Sequence, residues 1–238
     1  MSCLQAAIGT ANDIIDADAD ADHKPRKPIP LGLVERRRAE RVLAASLAIG
    51  LGLSVLSGPA TFALALLGTG VGLAYDLRLK GTAWSWAPFA LGIPLLPVFG
   101  WVGARGGLPP AQMVLLVGLA VPAGAALACA NALGDLERDL ATDTASVATA
   151  LGRRRTWTVG AGLQGVVLVA ALVTMLTGAA DPPALLAGLA AGAVVGVGLV
   201  FGRSGDPGRR ELGWEVQAIG LGVLTVAWLI AVGPAPAG

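Results

Sequence analysis

Charged and aromatic residues are scarce in this sequence. Only 14% of its 238 residues are charged and 5% are aromatic, whereas 55% are hydrophobic. A water-soluble globular domain carries about 25% charged residues, so the composition argues against an ordinary soluble domain. The mean hydropathy of +0.70 and the apolar stretches of membrane-spanning length predict a polytopic integral membrane protein instead.

Cysteine and histidine are also rare, with two cysteines and one histidine in the whole chain. Cys3 and Cys129 both lie in apolar sequence, and we interpret them as small core residues rather than a disulfide. His23 has no second histidine or cysteine to complete a zinc site. The sequence offers no Ser/His/Asp or Cys/His set for nucleophilic catalysis, so these classes of enzyme are not expected.

Seven apolar segments are bounded by charge, glycine or proline. We expect membrane-spanning helices at about 42–57, 60–77, 84–103, 111–133, 156–177, 184–202 and 214–232. Residues 1–17 read as the C-terminal part of a further helix. The prediction is therefore an all-α, polytopic transmembrane helical bundle, with seven complete helices and a partial N-terminal one. Residues 1–238 are expected to form a single transmembrane domain.

The basic residues are distributed on one side of the predicted membrane. Alternating the spans places 18–41, 78–83, 134–155 and 203–213 together. These segments hold sixteen of the seventeen lysines and arginines, and Arg105 is the exception. The positive-inside rule makes this side cytoplasmic.

An acidic cluster stands where the first apolar stretch meets that side. Asn12, Asp16 and Asp20 are spaced i, i+4, i+8. On an α-helix this spacing places them on one face, about 6 Å apart per step with a drift of about 40°. Asp13 lies beside that face and is a further candidate. Asp22 falls off the face, and we interpret it as a solvated residue.

A second acidic cluster repeats the pattern. Asp135 and Asp139 have the same i, i+4 spacing at the end of another apolar helix, and Asn131 stands one turn earlier. The predicted topology gives both clusters the same membrane depth and the same side. Asp143 continues the spacing, but it is expected to lie beyond the helix end.

Carboxylates in this arrangement are suited to Mg²⁺. The ion prefers oxygen ligands and is typically held by one or two carboxylates together with substrate phosphates. Bound in this way, it neutralises a diphosphate as it becomes a leaving group. The predicted metal ligands are Asn12, Asp13, Asp16, Asp20, Asp135 and Asp139. The four aspartates predicted to be catalytic are Asp16, Asp20, Asp135 and Asp139.

Basic residues adjoin both clusters. Lys24, Arg26 and Lys27 follow the first cluster, Arg138 lies inside the second, and Lys80 ends an intervening helix. Their charge predicts that they bind phosphate oxygens left free by the metal.

These stretches carry a resemblance to a known family. The segment from Asn12 to Gly32, NDIIDADADADHKPRKPIPLG, resembles the first signature of the UbiA superfamily of intramembrane prenyltransferases. The usual form of that signature is N-D-x-x-D-x-x-x-D followed by R-P-x-R-P-I-P-x-G. Three further segments agree in the expected order. AYDLRLK at 74–80 is similar to Y-S-x-x-L-K, Asp135-x-x-x-Asp139 to the second aspartate motif, and SVATALG at 146–152 to T-L-P-x-x-L-G.

The resemblance implies a reaction and its partners. It implies transfer of an isoprenyl group from an allylic diphosphate to a lipophilic or aromatic acceptor, with Mg²⁺ on the two aspartate motifs. It also implies diphosphate contacts for Tyr75 and Lys80, alongside Lys24, Lys27 and Arg138. We expect the lipid bilayer but no nucleic acid as a partner. The expected location is a prokaryotic cell membrane, with the active-site loops in the cytoplasm.

The sequence also departs from the family pattern. Lysine replaces the commoner arginine at Lys24 and Lys27, Asp76 replaces a usual serine, and Asp143 stands where glycine is common. The family normally has nine transmembrane helices, and its first signature ends the second of them. Here that signature begins at Asn12, so we expect this sequence to be N-terminally truncated relative to the family.

Three alternative functions remain open at this point. A terpene cyclase of the same superfamily would close the allylic cation on itself. A truncated, inactive family member would follow from the missing first helix. A cation or phosphate transporter is the non-enzymatic alternative, but it predicts carboxylates at the bilayer midplane rather than at helix ends.

Overall fold

The regular structure of this chain is helical. The computed structural model describes residues 1–23, 25–107, 109–178 and 180–232, and these ranges contain no β-strand. The α-helices are α1 (Ser2–His23), α2 (Arg36–Leu56), α3 (Pro59–Ala74), α4 (Ala87–Arg105), α5 (Ala111–Gly134), α6 (Leu136–Ala141), α7 (Val147–Leu151), α8 (Arg153–Thr177), α9 (Pro182–Gly202) and α10 (Pro207–Val232). A π-helical turn, Tyr75–Leu79, continues directly from α3.

Seven helical segments in the described part of the chain are long and apolar enough to cross a membrane. They are Arg36–Leu56, Pro59–Leu79, Ala87–Arg105, Met113–Gly134, Arg153–Thr177, Pro182–Gly202 and Pro207–Val232. The predicted all-α polytopic fold and its seven spans are thereby confirmed. Large apolar side chains on their outer faces, such as Leu56 and Ile230, are exposed, as expected of helices surrounded by lipid.

The largest differences from the predicted helix boundaries are at the starts of α2 and α10 and at the end of α1; α2 begins at Arg36 rather than near residue 42. The last helix begins at Pro207 rather than near residue 214, because proline is favoured in the first helical turn and the following arginines and glutamate are good helix formers. The N-terminal helix α1 continues to His23 instead of ending near residue 17. The acidic residues 18–22 are therefore helical.

The chain folds as two compact units. The first unit comprises Met1–Lys80 and Leu95–Leu108. In this unit α1 packs against α2 and α3 through a stripe of small and aliphatic residues. Gly50 and Gly72 allow the close approach, because a Cβ atom would lie 2.6 Å from Leu4 Cδ2 at the first and 2.7 Å from Ile8 Cδ1 at the second.

The second unit comprises Gly81–Pro94 and Pro109–Gly238. Here α5 packs against α8 and α10, and α9 packs along α10. Gly198 and Gly213 bring α9 and α10 together, since a Cβ on Gly198 would lie 2.8 Å from the Gly213 carbonyl oxygen. Small residues permit such close packing between membrane helices. The prediction that residues 1–238 form a single domain remains a prediction.

Candidate functional site

The first acidic cluster lies on the last turns of α1, in the first unit. Asp20 is buried and Asn12 and Asp16 are half-buried, whereas Asp18 and Asp22 are exposed. The helical spacing thus separates an inward acidic face from solvated aspartates, as the sequence predicted.

Each inward residue of this cluster has a partner from a later segment. Lys80 hydrogen bonds to Asp16 through its Nζ atom. Lys27 Nζ lies 2.9 Å from Asp13 Oδ1 and 2.7 Å from Asp20 Oδ2. Burial alone would lower the pKa of Lys27, but its hydrogen bonds and charge interactions with Asp20 and Asp13 raise it above the usual value. Lys27 is therefore held as a cation among carboxylates.

The π-helical turn sets the register between α3 and α1. Asn12 Nδ2 donates to Asp76 Oδ1 at 2.8 Å, and Lys80 pairs with Asp16. Each pair joins residues 64 apart, so residues on two successive turns of α1 contact the π-helical turn and the residue that follows it. Asp76 is only 6% exposed. The sequence marked Asp76 only as a departure from the family pattern and did not predict this contact.

The tyrosine and the other basic residues near this cluster differ in their exposure. Tyr75 is half-buried and begins the π-helical turn, where its carbonyl oxygen accepts a hydrogen bond from the Lys80 backbone at 2.7 Å. Arg26 and Arg78 are exposed. Lys24, a predicted diphosphate ligand, lies outside the described residues.

The second acidic cluster lies in the second unit, at the junction of α5 and α6. Asp135 connects the two helices, and Arg138 Nη2 lies 2.8 Å from Asp135 Oδ2 and 3.7 Å from Asp139 Oδ1. One guanidinium thus contacts both of the predicted catalytic carboxylates in this cluster, Asp135 and Asp139. The break at Asp135 means that Asn131 and Asp139 do not share one uninterrupted helix.

Burial and a serine control the ionisation of Asp139. The side chain is 7% exposed. This burial raises the pKa of Asp139 above its usual value, and the charge of Asp135 acts in the same direction, while a hydrogen bond from Ser146 and the guanidinium of Arg138 oppose it. Ser146 caps the short helix α7, so the helix cap and the acidic motif share this residue. The sequence did not assign Ser146 this contact.

Asp143 lies past the end of α6, as expected. It is exposed and has a φ of 51°. Glycine adopts that left-handed conformation more easily than other residues, which gives a physical reason for the glycine that is common here in the family.

Arg210 is the main residue beside the second acidic cluster that the sequence did not predict. Its side chain is fully buried at the start of α10. It donates from Nε to the Leu133 carbonyl oxygen at 2.6 Å, and from Nη1 to the carbonyl oxygens of Ser204 and Gly205 at 3.0 Å each. Its Nη2 pairs with Glu137, inside the second motif. The sequence grouped Arg210 only with the basic residues at helix ends.

Among the aromatic residues of α4 and the preceding loop, Trp86 packs against the buried apolar residues Leu133 and Leu136, on either side of Asp135. Trp84 is 63% exposed and lies 6.0 Å from Trp86, centroid to centroid. The guanidinium of Arg105 stacks over Trp101 at 5.5 Å. These contacts fit packing or interfacial roles.

The donor atoms at both clusters suit a hard divalent cation, because they are carboxylate and carboxamide oxygens. Among the described residues, no three Asp, Glu, His or Cys side chains are already grouped as a metal site. The carboxylates instead contact lysine and arginine. The assignment of Asn12, Asp13, Asp16, Asp20, Asp135 and Asp139 as metal ligands remains a prediction.

The fold and site together define a polytopic helical membrane protein with acidic clusters at helix ends, each paired with basic side chains. The UbiA prenyltransferase family matches residues 1–214. This chain belongs to that family, which confirms the resemblance inferred from the four motifs.

Individual relatives show the extent of the similarity. The chain is 33% identical to the chloroplastic chlorophyll synthase of Oryza sativa subsp. japonica, over 63% of this chain and 43% of that protein. It is 28% identical to the digeranylgeranylglyceryl phosphate synthase of Methanopyrus kandleri, over 98% of this chain and 85% of the relative. The chain therefore spans less than half of the rice protein but most of the archaeal one.

Solved structures share the fold at low sequence identity. A UbiA homologue from Aeropyrum pernix K1 has a TM-score of 0.71 at 18% identity, covering 96% of this chain and 85% of its own. A UbiA homologue from Archaeoglobus fulgidus bound to GPP and Mg²⁺ has a TM-score of 0.63 at 17% identity, covering 97% and 84%. At these identities the similarity establishes the helical architecture.

Proposed function

We propose that this integral membrane protein is a metal-dependent prenyltransferase. It moves an isoprenyl group from an allylic diphosphate to a lipophilic or aromatic acceptor. The observation that carries the proposal is the pairing of acidic and basic side chains in each family motif. Membership of the UbiA family and the relatives named as synthases of prenylated products support the same reaction.

The paired charges are suited to a metal–diphosphate complex. Lys27, Lys80 and Arg138 each contact an aspartate in this structure. A donor arriving with its cation supplies an anion for the basic groups and a cation for the carboxylates. Both sets of side chains can then exchange partners without leaving a buried charge unpaired, which would be costly.

The proposed ligands of the cation are Asn12, Asp13, Asp16 and Asp20 on α1, with Asp135 and Asp139 at the α5–α6 junction. When bound, Mg²⁺ would neutralise the charge that develops on the leaving diphosphate. Lys24, Lys27, Tyr75, Lys80 and Arg138 are the proposed diphosphate ligands. UbiA homologues from Archaeoglobus fulgidus have been solved bound to GPP and Mg²⁺ and to DMAPP and Mg²⁺, which supports a metal–diphosphate complex as the ligand.

The reaction then requires no protein nucleophile. The allylic C–O bond breaks and its electron pair leaves with the diphosphate. A new bond forms between the allylic carbon and the acceptor, which gives up a proton. The basic side chains stabilise the diphosphate as its charge increases.

The distribution of lysine and arginine supports a cytoplasmic location for these loops. Sixteen of the seventeen lie in segments that the alternating spans place on one side, and cytoplasmic loops of membrane proteins carry such an excess. We therefore propose a prokaryotic-type cell membrane topology with the active-site loops in the cytoplasm.

Turnover of allylic diphosphates by the purified protein tests the proposal. The protein is reconstituted in nanodiscs with Mg²⁺ and incubated with donors of increasing chain length, with and without aromatic and glycerol-phosphate acceptors. We expect diphosphate release that needs both metal and acceptor. Metal-dependent cyclic products formed without an acceptor would indicate a terpene cyclase. No release with any donor would contradict the enzymatic proposal, and ion flux in proteoliposomes would then favour a transporter.

A further inference from the structure

The buried carboxylate of Asp76 has one oxygen that no described residue satisfies. Its Oδ1 accepts the hydrogen bond from Asn12 Nδ2 at 2.8 Å. Its Oδ2 is buried and has no hydrogen-bond partner among the described residues. A buried oxygen without a partner is unfavourable, and more so when it is charged. Asp76 therefore needs a further partner.

The contact with Asp76 also fixes the orientation of Asn12. A carboxylate can only accept hydrogen bonds, so the carboxamide of Asn12 must present its NH₂ group to Asp76. The carbonyl oxygen Oδ1 of Asn12 is then directed away from this bond. Asn12 thus keeps an oxygen donor for a different partner.

Lys27 pairs with Asp13 and Asp20, so the positive charge described beside Asp16 and Asp76 is that of Lys80. It is hydrogen bonded to Asp16, although it is close enough to Asp76 to interact with it electrostatically. Two carboxylates and one ammonium group leave one net negative charge. A divalent cation would satisfy both the unpartnered oxygen and this charge.

We infer that Asp76 is a further ligand of the divalent cation, in addition to the aspartates of the two motifs. Its Oδ2 binds the ion, and its Oδ1 orients Asn12 so that the Asn12 carbonyl oxygen can bind as well. This inference rests on the proposed function, because it assigns a residue to the metal of that reaction. The serine common at this position in the family could orient Asn12 but would supply no charge.

Metal binding without any prenyl substrate tests the role of Asp76. Mn²⁺ is titrated into the purified protein and followed by electron paramagnetic resonance, and thermal unfolding is measured with and without Mg²⁺. The variants are Asp76→Asn, which preserves shape and removes the charge, and Asp22→Asn, which removes an exposed charge from the same helix as Asn12. Losing a ligand should weaken Mn²⁺ binding by about tenfold or more. We expect this loss in Asp76→Asn and wild-type affinity in Asp22→Asn.

The thermal measurements separate a ligand from a structural residue. Without metal, Asp76→Asn should unfold at the wild-type temperature or higher, because it removes a buried charge; with Mg²⁺ it should lack the wild-type stabilisation. Wild-type Mn²⁺ affinity in Asp76→Asn would overturn the inference, as would an equal loss of stability with and without metal. If the wild-type protein binds no Mn²⁺, the proposed function itself fails.

A second and independent feature is a basic groove at adjoining ends of α8 and α9. The cavity has a volume of about 360 Å³ and is lined by Arg153, Arg154, Trp157, Thr158, Gly202 and Arg203. Its volume lies within the range of small-molecule sites, about 300–1,000 Å³. Its three arginines are exposed, and none forms an ion pair with a described residue.

The groove has a fixed aromatic wall. Trp157 donates from Nε1 to the Leu199 carbonyl oxygen at 2.9 Å, which holds the ring in place. The guanidinium of Arg203 lies over that ring at 5.3 Å. The ring thus positions one cation, while Arg153 and Arg154 begin α8, whose helix dipole also favours an anion.

We propose that this groove binds the phosphate headgroup of an anionic phospholipid. Basic pockets between transmembrane helices bind such headgroups. Three arginines that form no ion pair with any described acidic residue offer several donors to phosphate oxygens. The position at the ends of two spanning helices places the groove at the level of lipid headgroups.

Lipid-dependent stability tests the headgroup site. The protein is placed in nanodiscs of phosphatidylcholine alone or with 30% phosphatidylglycerol, and thermal unfolding is measured. The variant Arg153→Gln/Arg154→Gln/Arg203→Gln is compared with Arg36→Gln/Arg37→Gln/Arg38→Gln, which removes the same charge from exposed positions at the start of α2. We expect the anionic lipid to raise the unfolding temperature of the wild-type and control proteins but not of the groove variant.

Two results would overturn the headgroup proposal. The first is an equal response to phosphatidylglycerol in the groove variant and the control. The second is full stabilisation of the wild-type protein by millimolar inorganic phosphate in phosphatidylcholine, which would indicate a site for a soluble phosphate compound.

Discussion

Arg210 and Glu137 form an ion pair that joins the first turn of α10 to the second aspartate motif. Arg210 is fully buried, whereas Glu137 is half exposed. The same guanidinium also satisfies the Leu133 carbonyl oxygen in the last turn of α5. Asp135 lies between Leu133 and Glu137 in the sequence, so Arg210 holds the Leu133 backbone before Asp135 and the Glu137 side chain after it.

We therefore expect Arg210→Met to destabilise the protein strongly. The substitution removes the donor of the buried Leu133 carbonyl oxygen, and a buried unsatisfied group costs about 1–3 kcal/mol. It also removes the part-buried hydrogen bonds to the carbonyl oxygens of Ser204 and Gly205. The neighbouring Arg209 is exposed, so Arg209→Met is the matched control. Thermal unfolding in detergent should show a large decrease for Arg210→Met and little change for the control. Equal decreases would show that loss of positive charge, rather than the buried hydrogen bonds, matters.

Ser146 should control the pH at which the second cluster binds a divalent cation. Its hydrogen bond favours the ionised form of Asp139, whose pKa burial raises. Removing that bond in Ser146→Ala should raise the pKa of Asp139 further. Since a protonated carboxylate binds metal poorly, Mn²⁺ binding should then be lost at a higher pH as the solution is acidified.

Thr149→Val is the control for this pH dependence. It removes the bond from the Ser146 backbone to Thr149 Oγ1, 2.7 Å long, and thus weakens the same helix cap without touching Asp139. A pH midpoint that moves equally in both variants would attribute the effect to the cap of α7.

Packing between α9 and α10 should tolerate no side chain at Gly198. A Cβ there would lie 2.6 Å from Gln217 Cγ and 2.8 Å from the Gly213 carbonyl oxygen, whereas a Cβ on Gly196 would meet nothing within 4 Å. Overpacking of this kind typically costs about 1–3 kcal/mol. Gly198→Ala should lower the unfolding temperature and Gly196→Ala should not. A neutral Gly198→Ala would mean that the two helices can separate at little cost.

The fold could be predicted from the sequence because membrane helices are defined by local composition. A run of apolar residues must form a helix to satisfy its backbone hydrogen bonds in lipid. Counting the apolar runs therefore located all seven spans. The start of α10 was less predictable. Helical structure there continues from Pro207 through charged residues that the apolar pattern excludes.

The candidate site could be predicted from the sequence only where its residues lie on one helix. The spacing of Asn12, Asp16 and Asp20 defines a face of α1 whatever that face contacts. The bond between Asn12 and Asp76 depends instead on the register of α1 against a π-helical turn 64 residues later, which no local pattern specifies. Arg210 was missed for a related reason: an arginine at a helix end has the same sequence signal whether it is buried or faces lipid headgroups.

The acidic faces should be more important for activity than acidic charge in general. Asp16 and Asp139 lie on the inward sides of the two clusters and contact Lys80 and Arg138, respectively, whereas Asp22 is exposed. Asp16→Asn and Asp139→Asn should each lower Mg²⁺-dependent diphosphate release from an allylic donor by about 100-fold or more, the scale seen when one group that stabilises developing charge is removed. Asp22→Asn should retain nearly full activity. Each variant also needs a thermal unfolding curve, so that loss of activity is compared at equal folded fraction. Similar losses in all three would mean that the aspartates act through a diffuse negative charge, and the proposed ligand roles would then be wrong.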